Sequence, residues 1–401
     1  MRILFLADGP RSPLVTGDRL RNWRLVERLA LRHEVHWWAF EEEGGLPEFG
    51  DPPAGVAHRN IRVPRGWEVR SDKIRKWLKV PFTSDPSLVL TPPSPRLVKL
   101  LREAARGFDV IHVSHLLLWR MMPPELAPRC VVDLCDSMSL RYRSYLDMNG
   151  GSSGGDRGLL WYRMFGQASK LHRYEAAMPD KAGAALVVAA RDRDYLDSPR
   201  MEVVPNGVDL DYYRSPGAPR TPGRIIFFGN LSYRPSVDAA RLLAREILPR
   251  VAAQLPGAHL RLVGAHPSEA VRELEGLPGV TLVGWVEDLR EELSRAEVFA
   301  CPLRVASGMQ NKVLEALAME LPTVASPNTA AGLELEAGRH FLVAEPGENF
   351  VRDVLRLLRE PELRGSLARE GRAAVESRYS WDRAVAQLEG IYARVAVEAS
   401  L

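Results

Sequence analysis

The stretch "VASGMQNKVLEALAMELPTVAS" (305–326) runs a small-residue loop into a largely apolar helix, stops at a proline and enters a short β-branched run. A glycine-containing loop that opens a helix presents unpaired backbone N–H groups at the positive end of the helix dipole, which is a ready site for phosphate. Val313, Leu314, Leu317 and Ala318 make the helix mostly apolar, yet Lys312 and Glu315 lie on it three residues apart and so share a face. The two charges read either as a surface ion pair or as groups placed for a ligand.

The loop, helix and strand of this stretch are one unit of a longer alternation. Short apolar runs such as "RILFLAD", "EVHWWAF", "VIHVSH", "CVVDLCD", "AALVVAA" and "MEVVPNG" in the first half, and "RIIFFGN", "LRLVGA", "VTLVGWV", "VFACPL", "PTVAS" and "HFLVAEP" in the second, are separated by helical patterns. That alternation predicts parallel sheets with crossover helices. At 401 residues the chain exceeds one ordinary core and divides into two α/β domains. The aperiodic stretch "DLDYYRSPGAPRTPGR", rich in Pro, Gly and Arg, follows "VVPNGVD" (203–209) and reads as the linker. The predicted domains are therefore 1–207 and 208–379, with a capped amphipathic helix from Ser380 onward whose apolar positions are Ala384, Leu388, Ile391, Tyr392 and Val395.

Composition narrows the function classes. Fifty-four basic against 51 acidic side chains leave a formal charge of only +3, which argues against a nucleic-acid partner. No apolar run reaches the length a bilayer needs and no signal-peptide pattern follows Met1, so a cytosolic location is expected. The three cysteines, Cys130, Cys135 and Cys301, read as core thiols rather than a disulfide framework or a metal site. The "DLD" at 209–211 falls in the linker and is discounted as a metal motif. Of seven lysines only Lys312 lies beyond residue 182, in a region crowded with arginine.

Two strand-loop-helix openings, one per domain, suggest a ligand held between facing sheets. The first, "DGPRSPLVTGDRLRNWRLVERLA", is not a dinucleotide fingerprint; Gly17 and the amides beside it are candidates for phosphate or sugar, and the helix after it has an apolar stripe through Leu20, Trp23, Leu25 and Leu29. The second, "FFGNLSYRPSVDAARLLAREILPRV", places Gly229 after a strand and Arg234 at a helix start. The stretch "NGGSSGGDRG" (149–158) reads as a mobile loop or a tolerated insertion. "SDKIRKWLKVPF" (71–82) reads as a basic amphipathic helix, either an anchor on anionic lipid or a helix packed on its own domain.

The pattern P-L-x4-G-x3-K-x-L-E-A-L-A-x3-P-x-V-A-S, "VVPNGVD" and "FFGNL" together resemble retaining glycosyltransferases of family 4, which have the two-domain GT-B fold. The opening residues, with "HRYEAAMPDKAGAALVVAARDRDYL" and "GNLSYRPSVDAARLLAREILPRV", are most similar to the branch associated with exopolysaccharide and exosortase systems. The resemblance implies an α/β GT-B fold of two Rossmann-like domains facing across a cleft, with the C-terminal helix (380–401) crossing back to the first. It implies transfer of a sugar, with retention and without a metal or cofactor, from a nucleoside diphosphate donor to a glycan or lipid-linked acceptor at the cytosolic membrane face. Glu315 then matches a ribose-hydroxyl ligand; Lys312 and Arg234 would neutralise the leaving diphosphate; Trp285 and Val286 fall where the base is held; and Gly17, Gly229, Asn230, Ser307, Gly308 and Met309 line the donor. Two positions depart from the family: Ser307 replaces the first glutamate of its pair, leaving backbone amides there, and Asp136 stands where a histidine is common, able to contact a sugar hydroxyl or accept a proton. The rival expectations are an epimerase or phosphorylase of the same fold, or a catalytically weak sugar-nucleotide-binding protein.

Overall fold

Strands that are apolar at every position are buried on both faces, which is the condition of a parallel sheet covered by helices. Residues 3–7 of the first strand and 225–228 of the eighth meet that condition, each being almost fully inaccessible. The structure, a computed structural model, describes residues 1–8, 17–42, 52–63, 83–87, 95–148, 166–215, 217 and 219–400. The segments 71–82 and 149–158 singled out above lie outside them.

The chain forms two compact units, Met1–Pro205 with Ala384–Leu401, and Asn206–Arg383. The strands of the first are β1 (Arg2–Asp8), β2 (Glu34–Glu42), β3 (Ala57–Val63), β4 (Val110–Ser114), β5 (Cys130–Asp133), β6 (Ala184–Val187) and β7 (Glu202–Val203). They pair in the order β3-β2-β1-β4-β5-β6-β7, all parallel. Its helices include α1 (Gly17–Leu29), α2 (Pro95–Ala104), α3 (Met138–Met148), α4 (Gln167–Ala176) and α5 (Ala190–Leu196).

The second unit repeats the plan with β8 (Arg224–Phe228), β9 (His259–Val263), β10 (Val280–Gly284), β11 (Val298–Cys301), β12 (Thr323–Ala325) and β13 (Leu342–Val343), in the parallel order β10-β9-β8-β11-β12-β13. Its helices include α6 (Arg234–Leu242), α7 (Leu289–Arg295), α8 (Asn311–Ala318), α9 (Glu348–Arg359) and α10 (Pro361–Arg378). α6 runs on through a π turn at Leu243–Ile247 into Leu248–Ala252, which accommodates Pro249, a residue with no N–H for the regular ladder.

The last helix, α11 (Trp381–Glu398), begins with Ser380 Oγ accepting from the Arg383 N–H. Its predicted apolar stripe is buried, and Tyr392 donates or accepts a 2.8 Å hydrogen bond with His112 of β4 in the core of the first unit. Trp381 lies in the second unit, where its backbone abuts Gly207; a Cβ on Gly207 would come 2.2 Å from the Trp381 nitrogen.

Two sequence expectations need correction here. The strand β3 was not among the strand candidates; it is an edge strand, in which Arg59 and Asn60 are exposed and Ile61 is buried. Of the expected stripe of α1, Leu25 and Leu29 are buried, but Leu20 and Trp23 are only part-covered, and Arg21, Asn22 and Val26 complete the buried face instead. Polar partners cause the rotation: Arg21 Nε donates to Asp133 Oδ2 at 2.7 Å, and Ser114 Oγ donates to Asn22 Oδ1 at 2.9 Å, both out of contact with water.

Candidate functional site

In an open parallel sheet the ligand crevice lies outside the carboxyl ends of the strands, where the strand order reverses. In the second unit that point falls between β8 and β11. The residues leaving those two strands are Gly229 and the loop from Pro302 to Gln310, and both belong to the motifs singled out from the sequence.

Glycine is required on this rim. Gly229 (φ +146°) and Gly264 (φ +147°) end β8 and β9 in conformations that L side chains rarely adopt. A Cβ on Gly264 would fall 1.7 Å from the Gly229 carbonyl oxygen, and one on Gly332 would fall 2.1 Å from that of Gly308. The Gly308 backbone is itself left-handed, with φ +57°.

That conformation delays the helix. Ser307 and Gly308 were expected at its N-terminus, but α8 starts at Asn311, with Gln310 as its cap, and Ser307 and Gly308 form the turn before it. No side chain caps α8, and Gln310 Nε2 instead donates to the Ser307 carbonyl at 3.2 Å. Met309 is buried beside them, and Asn311 Oδ1 accepts from Asn206 Nδ2 at 3.1 Å.

Lys312 extends from the first turn of α8 toward Gly229, its Nζ 3.1 Å from where a Gly229 Cβ would stand. The ammonium also lies 5.3 Å from the centre of the Phe227 ring. It has no hydrogen bond and no ion pair among the described residues, so the surface ion pair with Glu315 is not formed. Burial pulls the Lys312 pKa down, against the opposing influence of Cys301 and Glu315. A lone, part-buried cation beside a glycine rim and an uncapped helix start has the chemistry to receive an anion.

One turn further on, burial pushes the Glu315 carboxyl up to about 7, although Lys312 and a hydrogen bond with Tyr213 pull it down. Tyr213 comes from the linker, and its phenol is itself held well above the usual value by burial and the Glu315 charge. Arg372 of α10 fastens this arrangement, donating to the carbonyls of Tyr213, Leu210 and Ala318, the last being the end of α8. Nothing in the pattern singles out Tyr213 beyond an aromatic pair in an aperiodic stretch.

The other residues singled out in this unit are placed as follows. Arg234 is exposed at the first turn of α6, followed by Pro235. Asn230 accepts from the amide and hydroxyl of Ser232, closing the turn between β8 and α6. Trp285 is 62% exposed after β10. Val286 borders an open depression of about 590 Å³ with Tyr212, Asp288 and Arg290, in which the Arg290 guanidinium lies 4.2 Å from the Tyr212 ring centre. Arg304 is paired with Asp238 of α6, tying the β11 loop to that helix.

In the first unit the strand order reverses between β1 and β4. Gly17 is exposed at the start of α1; the residues before it, 9–16, lie outside those described. Past β4 and β5 two non-glycine residues have left-handed backbones, His115 (φ +85°) and Cys135 (φ +59°), and the amide of each is bound by Asp133, through its carbonyl and its Oδ1 respectively. Asp136 follows and faces Arg141 at 3.6 Å.

The helix start in this unit is occupied, in contrast to that of α8. Glu175 of α4 accepts from the Met138 and Ser139 amides and from the Ser137 and Ser139 hydroxyls, and Asp192 of α5 accepts from the Ser137 amide. Burial nonetheless raises Glu175 to about 7. Beneath, burial resists ionisation of Asp133, but Arg21 and His112 with the Arg21 and Cys135 hydrogen bonds hold its pKa low, while burial drops His112 to about 4. This buried group ties α1 to the two central strands β4 and β5 and was not legible from pattern. The three cysteines are buried free thiols.

Residues 222–360 match the family model described as Glycosyl transferases group 1. No curated protein matches the chain as a relative. Among solved structures, a sucrose-phosphate synthase from Thermosynechococcus elongatus aligns over 99% of both chains at 17% identity, with a TM-score of 0.72. A trehalose 6-phosphate synthase from Burkholderia multivorans aligns over 99% of both at 13% identity (TM-score 0.66), and Anabaena HepE in complex with UDP and glucose over 97% of this chain and 98% of its own at 14% (TM-score 0.61). The two parallel-sheet α/β units of this chain thus have the fold of the GT-B glycosyltransferases, and the second carries the match to the group 1 family.

Proposed function

We propose that the protein is a retaining glycosyltransferase that moves a sugar from a nucleoside diphosphate to a glycan or lipid-linked acceptor, in exopolysaccharide or other cell-surface glycan synthesis. The observation that carries the reading is the unpartnered Lys312 ammonium, aimed at the Gly229 rim beside the uncapped start of α8. The match of residues 222–360 to the group 1 family supports it, as do solved structures of this fold bound to UDP and to UDP-glucose.

In this reading the donor diphosphate lies over Gly229 with its charge on Lys312 and the amides of the loop and first turn around Gly308, Met309 and Asn311. Glu315, ionised and steadied by Tyr213, accepts from the ribose hydroxyls, and Trp285 and Val286 flank the base. As the sugar–phosphate bond breaks, negative charge grows on the diphosphate while the sugar becomes oxocarbenium-like; a fixed cation and oriented amides lower that barrier with no metal required. The departing phosphate takes the acceptor proton, which gives retention, and Arg234 supplies a second cation. Asp136, in the first unit, contacts a sugar hydroxyl. The basic segment 71–82 suits an acceptor presented on an anionic membrane surface at the cytosolic side.

The test is a titration of UDP, GDP and ADP by calorimetry, with EDTA and with magnesium, followed by transfer from the matching sugar nucleotide to a polyprenyl-phosphate-linked glycan. Metal-independent binding lost in Lys312→Ala, and a product whose anomeric configuration matches the donor by NMR, are expected. Absence of binding by every nucleotide overturns the donor reading. Donor turnover without an acceptor product moves the assignment to an epimerase or phosphorylase of this fold.

A further inference from the structure

Ser236 is the third residue of α6 and is 1% exposed, yet its hydroxyl has no hydrogen-bond partner. Buried hydroxyls are almost always paired, so an orphan of this kind marks a place where a partner arrives from outside. Its amide is already engaged, donating to the Tyr233 carbonyl at 2.8 Å; only the hydroxyl is left over.

The hydroxyl is not aimed at random. The space next to the Gly229 Cα, where a side chain would begin, has Lys312 Nζ at 3.1 Å and Ser236 Oγ at 3.7 Å. The one unpartnered ammonium of α8 and the one unpartnered hydroxyl of α6 therefore converge on the same small volume, kept empty because residue 229 is a glycine. An ammonium brings charge and a hydroxyl brings a directed O–H, and together they suit one tetrahedral oxyanion with an oxygen for each.

We propose that Ser236 is a phosphate-binding residue: its Oγ–H donates to an oxygen of the same phosphoryl group that Lys312 neutralises, and Gly229 is the floor of that two-donor pocket. The inference rests on the nucleoside diphosphate reading of the site and adds to it the residue that orients the phosphoryl group. α6 and α8 thereby hold the anion from opposite sides of the crevice, a hydroxyl from the helix after β8 and a cation from the helix after β11. Because the hydroxyl has no partner within the protein, Ser236→Ala removes no internal hydrogen bond and the variant folds.

The experiment measures binding of UDP, uridine and inorganic pyrophosphate to the full chain and to Ser236→Ala by calorimetry, alongside thermal unfolding without ligand. Affinity for UDP and pyrophosphate is expected to fall by about tenfold to a hundredfold, the size of a lost hydrogen bond to a charged group, with uridine affinity and the unfolding temperature unchanged. UDP binding by the variant equal to that of the unaltered chain overturns the role of Ser236 and leaves the donor reading standing. An equal loss for uridine and UDP, or a lowered unfolding temperature, shows a structural role and overturns it as well. Failure of the unaltered chain to bind either UDP or pyrophosphate overturns both readings together.

Discussion

Replacing Lys312 with methionine separates what this lysine does for the fold from what it does for the ligand, because the two effects have opposite sign. Without ligand the ammonium is drawn out of water with no hydrogen bond or ion pair among the described residues, a condition that costs about 1–3 kcal/mol. The Phe227 ring at 5.3 Å returns about 0.5–1 kcal/mol of that. Methionine keeps the length of the side chain and its packing on the aromatic ring while removing the charge. Lys312→Met should therefore stabilise the ligand-free protein by about 1 kcal/mol, or about 2–4 °C in the melting temperature of a unit of this size. The depressed pKa gives a second signature. The folded state binds fewer protons than the unfolded state below the ordinary lysine value of 10.5, so this residue makes stability rise as pH climbs toward that value, and the variant lacks the rise. With UDP the order reverses. At a hundred times its Kd a ligand adds about 2.7 kcal/mol to the unaltered chain, and loss of a charge-assisted bond weakens binding by about tenfold to 150-fold in the variant. The assay is urea unfolding with and without UDP, at two pH values. A ligand-free variant less stable than the parent by 1 kcal/mol or more would refute the argument, since Lys312 would then be a structural cation.

Four other outcomes follow from the same geometry. Gly264→Ala places a methyl against the Gly229 carbonyl in a strained backbone and should cost about 2–5 kcal/mol of stability in denaturant, together with ligand affinity; unchanged unfolding would mean that the close approach is not real. Asp133→Ala strands Arg21 in the core and should cost about 3–5 kcal/mol, while Arg21→Met with Asp133→Leu together should recover most of it; equal loss in the double variant counts against the buried pair. Glu175 and Glu315 both have folded values near 7 against 4.5 unfolded, so the folded state holds the extra protons and stability falls as pH rises between those values, by up to about 1.4 kcal/mol per unit for each group. Glu175→Gln should flatten part of that slope, and a slope of the opposite sign in the parent protein would exclude these assignments. Tyr213→Phe leaves Glu315 without its phenol partner and should raise the pH at which nucleotide affinity is half-maximal; an unshifted profile would show that Tyr213 does not position the carboxyl.

The alternation of apolar runs and helical patterns determined the fold class, because a strand buried on both faces must be apolar throughout, and such runs as "RILFLAD" and "RIIFFGN" stand out in any sequence. The edge strand β3 escaped notice for the same reason, since half of an edge strand faces water and "AHRNIRV" is mostly polar. Lys312, Glu315 and Gly229 were legible because a charge on an apolar helix and a glycine at a strand end conflict with local preference. What the sequence could not supply is convergence. Ser236 is an ordinary helix residue until its orphan hydroxyl is found beside the Gly229 rim, Tyr213 is part of a linker until Arg372 pins it against Glu315, and Arg21 looks like a surface charge until α1 turns it onto Asp133. Periodicity reports which face of one element is apolar; which polar group meets which is decided by long-range packing, where one buried hydrogen bond or charge outweighs the preference of a whole turn.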